Sequence, residues 1–398
     1  MALAKRLQAE LQGDRAIWMI VAVLSLFSLL VIYSATGSLA YRVRGGDTEA
    51  FLVKHGVILG FGWLLMYLCY LMPYTRFKKA APYLMLVAIP LLVLTMAVGP
   101  ELNNARRWLQ VPFIGITFQT SDFAKLALVL FVANEITRHK DYIKDFNKAF
   151  LPIIVPILIV VSLIAPSDLS TAILLFTVTI LMMFMGRVDI KYILLTLLLG
   201  IVVFACLIVL GEFFPELIRS DTWIERFRDF MSADGASKYD DVDYAKIAIA
   251  NGEIFGEGPG NSIMRNYLSH PYSDYVYATV IEEYGLLGGA LTLGLFLYLF
   301  VRATVLVTKS QKSFGGMVVV GLSLMLVLQA LINMAVSVNL IPVTGLAVPL
   351  ITMGGTSTLF TCISFGIILS VSKYIERQAA REAAVNEDPD TASAPVAR

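Results

Sequence analysis

Three acidic residues stand out because they lie at or inside a long apolar segment. Asp274 lies where a polar loop meets the segment that runs to about residue 301, and Glu282 and Glu283 follow inside it. On a continuous helix the two glutamates would lie about 12 Å deeper than Asp274, at about 1.5 Å of rise per residue. Carboxylates serve general acid–base chemistry, and inside a membrane they are costly and usually face a cavity or an ion partner. Their position therefore suggests a functional site.

Further ionisable residues lie at the ends of other apolar segments. They are Lys54, Arg106, Arg107, Lys125 and Asp168. Each type also has a structural explanation, because an aspartate such as Asp168 or Asp274 can cap a helix N-terminus and a lysine can extend its ammonium group to the membrane interface. Glu282 and Glu283 equally fit an internal pair or a hydrogen-bonded helix contact. The residue types alone leave both interpretations open.

The elements that must position these residues are membrane helices. The chain is 58% hydrophobic and 15% charged, and its apolar residues form long blocks rather than short periodic runs. Blocks long enough to cross about 30 Å of hydrocarbon occur at about 16–35, 51–72, 80–98, 119–137, 150–165, 168–186, 190–210, 275–301, 315–340 and 354–373. We predict an all-α polytopic membrane protein with ten transmembrane helices and a large outer loop between helices 7 and 8. The first block is too long for the core of a typical signal peptide, so we interpret it as an uncleaved helix.

The distribution of lysine and arginine predicts the orientation of these helices. Basic residues are concentrated in the loops that follow every second block, which are cytoplasmic if the N-terminus is inside. Both termini are then cytoplasmic, and the loop at about 211–273 lies outside. This predicts a cytoplasmic tail at 1–15, a membrane domain at 16–375 and a disordered cytoplasmic tail at 376–398, which is rich in alanine, proline and acidic residues.

The stretch between the last two blocks does not have the sequence of one regular helix. It contains Pro342, Gly345, Pro349 and the pair at 354–355 within a predominantly apolar sequence. Broken backbone at membrane depth must be buried in protein or border a water-filled cavity. We expect a re-entrant segment, with a simple hairpin turn as the alternative. Gln329 and Asn333 lie on one face of the preceding helix, where interhelical hydrogen bonds are expected.

Two amphipathic stretches in the outer loop, at about 222–231 and 241–250, fit helices on the membrane surface that cover a cavity or dock a partner. The three cysteines and three histidines show no metal-ligand spacing and no disulfide framework. The glycine-rich stretch at 256–260 lacks the strand–helix context of a dinucleotide site, and a tight turn explains it better. We expect no structural metal and no nucleic-acid partner.

Taken together, several motifs resemble those of the SEDS family of bacterial shape, elongation and division proteins. The motifs follow one another in order from about residue 15 to 375. They are NNARRWL and FQTSDFAKLA within 103–127, PSDLSTA at 166–172, YAKIAIANGEIFGEGPG at 244–260, YSDYVYATVIEEYG at 272–285, and PVTG with MGGTS within 342–357. The last pair resembles the division member of the family more than the elongation member.

The sequence departs from the family pattern at a few positions. The family usually has proline and glutamate where Thr120 and Asp122 stand, and glycine at Ser170. It also has Pro-Leu-Pro near 346–349, where this chain reads Leu-Ala-Val-Pro. Because Asp122 keeps an acidic side chain, we expect its role to be kept.

The resemblance implies a peptidoglycan glycosyltransferase that polymerises lipid II, a lipid-linked disaccharide pentapeptide, on the outer face of the cytoplasmic membrane. It implies a class B penicillin-binding protein as transpeptidase partner, together with other division proteins and membrane lipid. By motif, Asp274 corresponds to the family's catalytic carboxylate, and Lys125 and Asp168 are its polar companions.

The reaction itself suggests further roles for the candidate residues. A base must take the proton of the acceptor hydroxyl, and cations must stabilise the leaving pyrophosphate. We assign the base to Asp274 and the phosphate contacts to Lys125, Arg106 and Arg107. Further candidate substrate contacts are Lys54, Glu282, Thr356 and Ser357. A divalent cation, Mg²⁺ or Mn²⁺, at the pyrophosphate stays open, as do a lipid-precursor flippase, an elongation-type polymerase and a non-enzymatic division scaffold.

Overall fold

The computed structural model describes residues 12–37, 48–101, 106–110, 117–214, 218–231, 241–269, 271–310 and 314–387. Within these ranges the fold is helical apart from one short pair of strands. Its elements are α1 (Arg15–Ala35), α2 (Thr48–Leu71), α3 (Tyr74–Val98), β1 (Trp108–Gln110), β2 (Thr117–Gln119), α4 (Thr120–Arg138), α5 (Leu151–Ile164), α6 (Leu169–Met185), α7 (Ile190–Phe213), α8 (Ser220–Met231), α9 (Asp241–Asn251), α10 (Val276–Lys309), α11 (Phe314–Ser337) and α12 (Thr356–Glu387). The all-helical membrane class predicted from composition is confirmed.

A helix occupies each of the ten predicted apolar blocks, but fewer of them have the length and composition of a membrane span. Among the described residues, eight helices are long and apolar enough to cross a membrane. The other two are α6, which has 17 residues, and α4, which carries Asp122, Lys125, Glu135 and Arg138. These charges lower the hydropathy of α4 although most of its length is buried.

The core is built around α11, which is buried along almost its whole length. It packs against α4, α6, α10 and α12. Gly321 permits the close approach of two of these helices, because a β-carbon at this position would lie 2.5 Å from a side-chain atom of Val129 on α4 and 2.6 Å from one of Met182 on α6. Asp122, Lys125 and Glu135 of α4 are buried in this packing, whereas Arg138 at its end is exposed.

The start of α4 is reached through a strand pair that the sequence did not predict. Strands β1 and β2 are antiparallel, with Trp108 opposite Gln119. Strand β2 continues directly into α4 at Thr120. Because Arg106 and Arg107 immediately precede β1, the pairing brings them towards the N-terminus of α4.

The segment between α11 and α12 has no regular helix, as its proline and glycine content predicted. Asn339, Gly345, Leu350 and Gly355 have positive φ angles. The apolar side chains of Leu346, Val348, Leu350 and Ile351 are buried. This broken segment, 338–355, is thus packed into the protein through its apolar side chains. Helices α8 and α9 form over the two amphipathic stretches of the outer loop.

Two further details differ from the sequence-based expectations. Helix α10 is interrupted at Gly285, which has φ 69° and ψ −173°. Helix α12 continues to Glu387, whereas disorder was predicted from residue 376. Its extension is rich in alanine, glutamate and arginine, which favour helix, and the remaining tail at 388–398, like residues 1–11, lies outside the described residues.

Candidate functional site

Lys125 and Asp122 form a buried ion pair at the start of α4. The Nζ atom of Lys125 lies 2.7 Å from Oδ1 of Asp122, and the two side chains are only 7% and 3% exposed. The second carboxylate oxygen of Asp122 is buried, and no described residue donates a hydrogen bond to it. Lys125 therefore does not extend to the membrane interface, and the pair keeps one unsatisfied oxygen for a further donor. Sequence reasoning did not include Asp122 among the site residues, although its spacing of three from Lys125 is a signal for pairing on a helix.

Asp168 combines the two roles that the sequence left as alternatives. Its Oδ1 accepts a hydrogen bond of 3.1 Å from the backbone N–H of Thr171 and so caps α6. Its Oδ2 lies 3.5 Å from Nη1 of Arg107. Arg107 is fixed further by a 2.7 Å hydrogen bond from Nε to the carbonyl oxygen of Ser167. Capping and ion pairing thus use different oxygens of the same side chain.

A small cleft, with a free volume of only about 10 Å³, lies between Arg107 and the start of α4. Its polar lining comes from Arg106, Arg107, Thr120, Ser121 and Ser167, and its apolar lining from Leu92, Met96, Leu163 and Ile164. Thr120 accepts a 2.9 Å hydrogen bond from Thr95 on α3. The lining of the cleft thus combines guanidinium groups and hydroxyls with an aliphatic wall.

Arg106 and Thr356 lie at the edge of this arrangement. Arg106 is largely exposed and lies 4.0 Å from Glu101. Thr356, at the first position of α12, accepts a 3.3 Å hydrogen bond from the backbone N–H of Gln119, the residue before α4. Ser357 follows it and is half-buried. The end of the broken segment is therefore attached to the same helix start that carries Lys125.

Asp274 lies two residues before α10 and is half-buried. Its Oδ1 accepts a 3.0 Å hydrogen bond from Ser273, and its side chain does not cap α10. The side-chain amide of Asn333 donates to the carbonyl oxygens of Asp274, at 3.1 Å, and of Leu346, at 2.7 Å. Asn333 therefore ties the loop of Asp274 to the broken segment. The interhelical hydrogen bond predicted from the sequence is replaced by bonds to backbone carbonyls outside the helices.

Two further contacts complete the connection between Asp274 and the start of α12. Gln329 donates a 2.7 Å hydrogen bond to the carbonyl oxygen of Ala347. The backbone N–H of Met353 donates to the carbonyl oxygen of Tyr272 at 3.3 Å. Polar contacts thus connect the Asp274 loop through the broken segment to Thr356 and, through Thr356, to the start of α4.

Glu282 and Glu283 are buried in a different set of contacts. The Glu282 carboxylate accepts hydrogen bonds from the hydroxyl of Ser262 and from the backbone N–H groups of Ile263 and Met264, the latter two at 3.1 Å. Glu283 accepts from the hydroxyl of Ser34 and lies 3.8 Å from Nη1 of Arg265. These contacts attach the outer loop to α10 and α1. They support the structural alternative for both glutamates.

Lys54 is not brought to the cleft by any contact in the part of the chain that the structure describes. It is exposed on α2 and has no hydrogen bond or ion pair with a described residue. The described ranges also contain no group of three His, Cys, Asp or Glu side chains arranged to hold a metal ion. Of the predicted site residues, Arg106 and Arg107 line the cleft and Asp168 pairs with Arg107, whereas Lys125 and Thr356 contact other residues at the start of α4.

Comparison with known proteins identifies the family of this chain. Residues 14–377 match the family model described as "Cell cycle protein", which covers FtsW, RodA and SpoVE. The chain is 31% identical over 386 residues to the "Probable peptidoglycan glycosyltransferase FtsW" of Halomonas elongata, covering 95% of this chain and 94% of the relative. It is 30% identical over 359 residues to the protein of the same name from Aromatoleum aromaticum, covering 87% and 85%.

Solved structures share the fold. A chain of a peptidoglycan synthase complex that coordinates polymerization and crosslinking has a TM-score of 0.68 at 23% identity, covering 91% of this chain and 98% of its own. The rod shape-determining protein RodA of Thermus thermophilus has a TM-score of 0.65 at 23% identity, covering 91% and 97%. Since the family match extends over nearly the whole sequence, the chain belongs to the FtsW, RodA and SpoVE family of cell cycle proteins.

Proposed function

We propose that the protein is a peptidoglycan glycosyltransferase that polymerises lipid II at the outer face of the cytoplasmic membrane, in septal wall synthesis of the FtsW type. The observation that carries this proposal is the cleft that joins the Arg107–Asp168 pair to the start of α4, with cationic groups beside an aliphatic wall. Such a lining matches a sugar diphosphate attached to a polyprenyl chain. Relatives that share nearly the whole chain are named peptidoglycan glycosyltransferase FtsW.

We assign ten membrane crossings to this fold, counting α4 and α6 with the eight longer apolar helices. Helix α4 can cross the membrane in spite of its charges, because Asp122 and Lys125 pair with each other and are buried inside the bundle, away from lipid. The lysine and arginine distribution then puts both termini in the cytoplasm. The cleft and the Asp274 loop open towards the periplasmic side in this topology.

The reaction needs one base and a stabilised leaving group. Asp274 accepts the proton of the acceptor sugar hydroxyl, and the hydroxyl oxygen attacks the anomeric carbon of the donor sugar. The bond from the anomeric carbon to the phosphate oxygen breaks, and the polyprenyl diphosphate leaves with the electron pair. Lys125, Arg107 and Arg106 stabilise its negative charge. No general acid is required, because diphosphate leaves without being protonated.

The remaining predicted residues take secondary places in this proposal. Thr356 and Ser357 contact the substrate at the end of the cleft that borders α4. Lys54 stays a predicted contact at the outer membrane surface. Glu282 is assigned to the attachment of the outer loop instead, because its carboxylate already accepts three hydrogen bonds from the protein. A Mg²⁺ or Mn²⁺ ion at the diphosphate stays a prediction, and no step above uses one.

The partner that we propose is a class B penicillin-binding protein, which crosslinks the strands that this enzyme polymerises. The family resemblance implies it, and the likeness to a chain of a synthase complex that coordinates polymerization with crosslinking supports it.

The proposal is tested by polymerisation of lipid II with the purified full chain and its transpeptidase partner. We expect glycan polymer from the wild type and at least about 100-fold less from Asp274→Asn, since a general base contributes about that much or more. Ser269→Ala, at an exposed position of the same loop, is the matched control. Full polymer yield from Asp274→Asn would remove Asp274 as the base. Lipid translocation into proteoliposomes without polymer would assign the protein to the flippase class.

A further inference from the structure

Three arginines from two segments lie at or near the turn that carries Asp168: Arg107 before β1, Arg219 immediately before α8, and Arg226 on α8. Arg107 donates from Nε to the carbonyl oxygen of Ser167. The backbone N–H of Arg219, just before α8, donates to the carbonyl oxygen of Pro166 at 3.4 Å. Both arginines are therefore attached to the same turn, at residues 166–168.

Arg226 extends this group along α8. It lies seven residues after Arg219, which is about two helical turns and therefore close to the same face. Its Nη1 donates a 3.1 Å hydrogen bond to the carbonyl oxygen of Val343 in the broken segment. Helix α8 is thus held between the Asp168 turn and the broken segment, and its partly buried arginines lie on the side that faces them.

The charges in this group do not balance. Asp168 is the carboxylate that pairs with Arg107, and one of its oxygens is used to cap α6. The Arg219 side chain is partly buried and has no hydrogen bond or ion pair with any described residue. Burial, together with the positive charges of Arg107 and Arg226, lowers the pKa of Arg219, and Asp168 opposes this effect. Among the buried and partly buried groups, three guanidinium groups and one carboxylate leave an excess of two positive charges, since Asp221, Glu225 and Asp229 of α8 are exposed. Partly desolvated charge of this kind calls for an anionic partner.

We propose that Arg107, Arg219 and Arg226 form a diphosphate clamp for a polyprenyl diphosphate, the headgroup of a lipid-linked substrate. The two negative charges of a diphosphate diester match the excess charge of the clamp. Guanidinium groups bind phosphate oxygens in a bidentate fork, which a lysine cannot do. The inference rests on the proposed function and adds to it two residues of the outer loop, Arg219 and Arg226.

The position of the clamp favours a diphosphate over an anionic phospholipid, which has the same phosphate chemistry. Arg107 lines the cleft whose other wall contains Leu92, Met96, Leu163 and Ile164, so an apolar chain attached to the phosphates has a surface to follow. A phospholipid such as phosphatidylglycerol carries a single negative charge and would leave half of the excess uncompensated.

The test measures equilibrium binding of farnesyl diphosphate to the full chain in phosphatidylcholine nanodiscs. We expect Arg219→Gln and Arg226→Gln each to weaken binding about tenfold, since each removes a charge-assisted contact. The same substitutions should weaken the binding of farnesyl monophosphate less, and they should leave the binding of farnesol unchanged. Arg228→Gln is the matched control, because Arg228 is an exposed arginine on the same helix. Arg219→Lys, which keeps the charge without the fork, should give an intermediate affinity.

The outcomes separate the clamp from the proposed function. No measurable binding to the wild type, or equal affinity in Arg219→Gln and Arg228→Gln at unchanged thermal stability, would overturn the clamp. The clamp would also be overturned if phosphatidylglycerol nanodiscs displaced the probe and this displacement depended on the same arginines. The arginines would then be assigned to lipid headgroups. If the arginines bind the probe but the wild type makes no polymer, the clamp stands and the polymerase assignment fails. If polymer forms and Arg219→Gln changes neither the KM for lipid II nor probe affinity, the clamp alone fails.

Discussion

Asp122 and Glu282 are both carboxylates buried in helices of the bundle, but their hydrogen-bond partners differ. All the donors that reach Glu282 come from one loop of the protein, the hydroxyl and backbone N–H groups of residues 262–264. Asp122 pairs with Lys125 and keeps a buried oxygen that accepts no hydrogen bond from the part of the chain that the structure describes. An unsatisfied buried oxygen is costly unless a ligand or water supplies a donor. The comparison indicates that incomplete satisfaction, rather than burial alone, distinguishes the ion pair at the start of α4 from the structural contacts of the outer loop.

Removing the cation of the Asp122–Lys125 pair should have the largest effect. We expect Lys125→Met to lower the rate of lipid II polymerisation about 100-fold or more, because the leaving diphosphate loses a preorganised cation. The initial rate of glycan formation, per amount of folded protein, measures this.

A double variant controls for stability in this experiment. Lys125→Met alone leaves Asp122 buried and unpaired, which costs about 3–5 kcal/mol. Adding Asp122→Asn removes the isolated charge and should restore the thermal stability without restoring the rate. A wild-type rate in either variant would make the pair structural, like Glu282.

Glu282→Gln should give the opposite pattern, a loss of stability with little change in rate. The substitution removes the charged acceptor of the two backbone N–H groups, and we expect a loss of about 1–3 kcal/mol. Thermal unfolding in detergent and protease cleavage near residues 252–266 measure it. Glu257→Gln, at an exposed carboxylate of the same loop, is the control. A large fall in polymerisation at unchanged stability would return Glu282 to the substrate site.

Asp168 lies between these extremes, and its two oxygens allow a finer test with a smaller effect on stability. Asn caps a helix about as well as Asp, so Asp168→Asn should unfold at nearly the wild-type temperature, whereas Asp168→Ala should lose about 1 kcal/mol. Both variants lose the negative charge beside Arg107 and should change the KM for lipid II by a similar factor. If the KM changes only in Asp168→Ala, the variant that loses stability, then the oxygen that caps α6 is required and the negative charge beside Arg107 is not.

Local features of the fold were predictable from particular stretches of sequence. The prolines and glycines of 342–355 predicted that no regular helix connects α11 to α12, and the two amphipathic stretches predicted α8 and α9. The strand pair before α4 was missed because each strand has only three residues, too few for an alternating pattern to show. The interruption at Gly285 was missed because isolated glycines are common in membrane helices. The reason for a glycine here appears only in the tertiary structure, where residues 254–256 pack against Gly285. A β-carbon on Gly285 would lie 2.2 Å from the carbonyl oxygen of Ile254.

The sequence predicted which residue types form the candidate site, but it did not predict which of these residues contact one another. Motif resemblance singled out Asp274, Lys125 and Asp168. In the structure Asp168 pairs with Arg107, and Lys125 pairs with Asp122. Arg219 and Arg226 had no signal, because arginines in an outer loop are ordinary until the backbone attaches the loop to the Asp168 turn. Lys54 and Glu282 were chosen for their depth and side of the membrane, and neither property specifies which neighbours they meet.

The amino-acid sequence by itself determined that this chain forms membrane helices, roughly where they begin and end, and to which family it belongs. These properties depend on local composition, because about 20 apolar residues must satisfy their own backbone groups to cross a bilayer. The tertiary structure alone decided which buried charges are satisfied by the protein and which face the cleft. Their partners are remote in the chain, as with Ser34 and Glu283, which are 249 residues apart, and only packing brings such residues together.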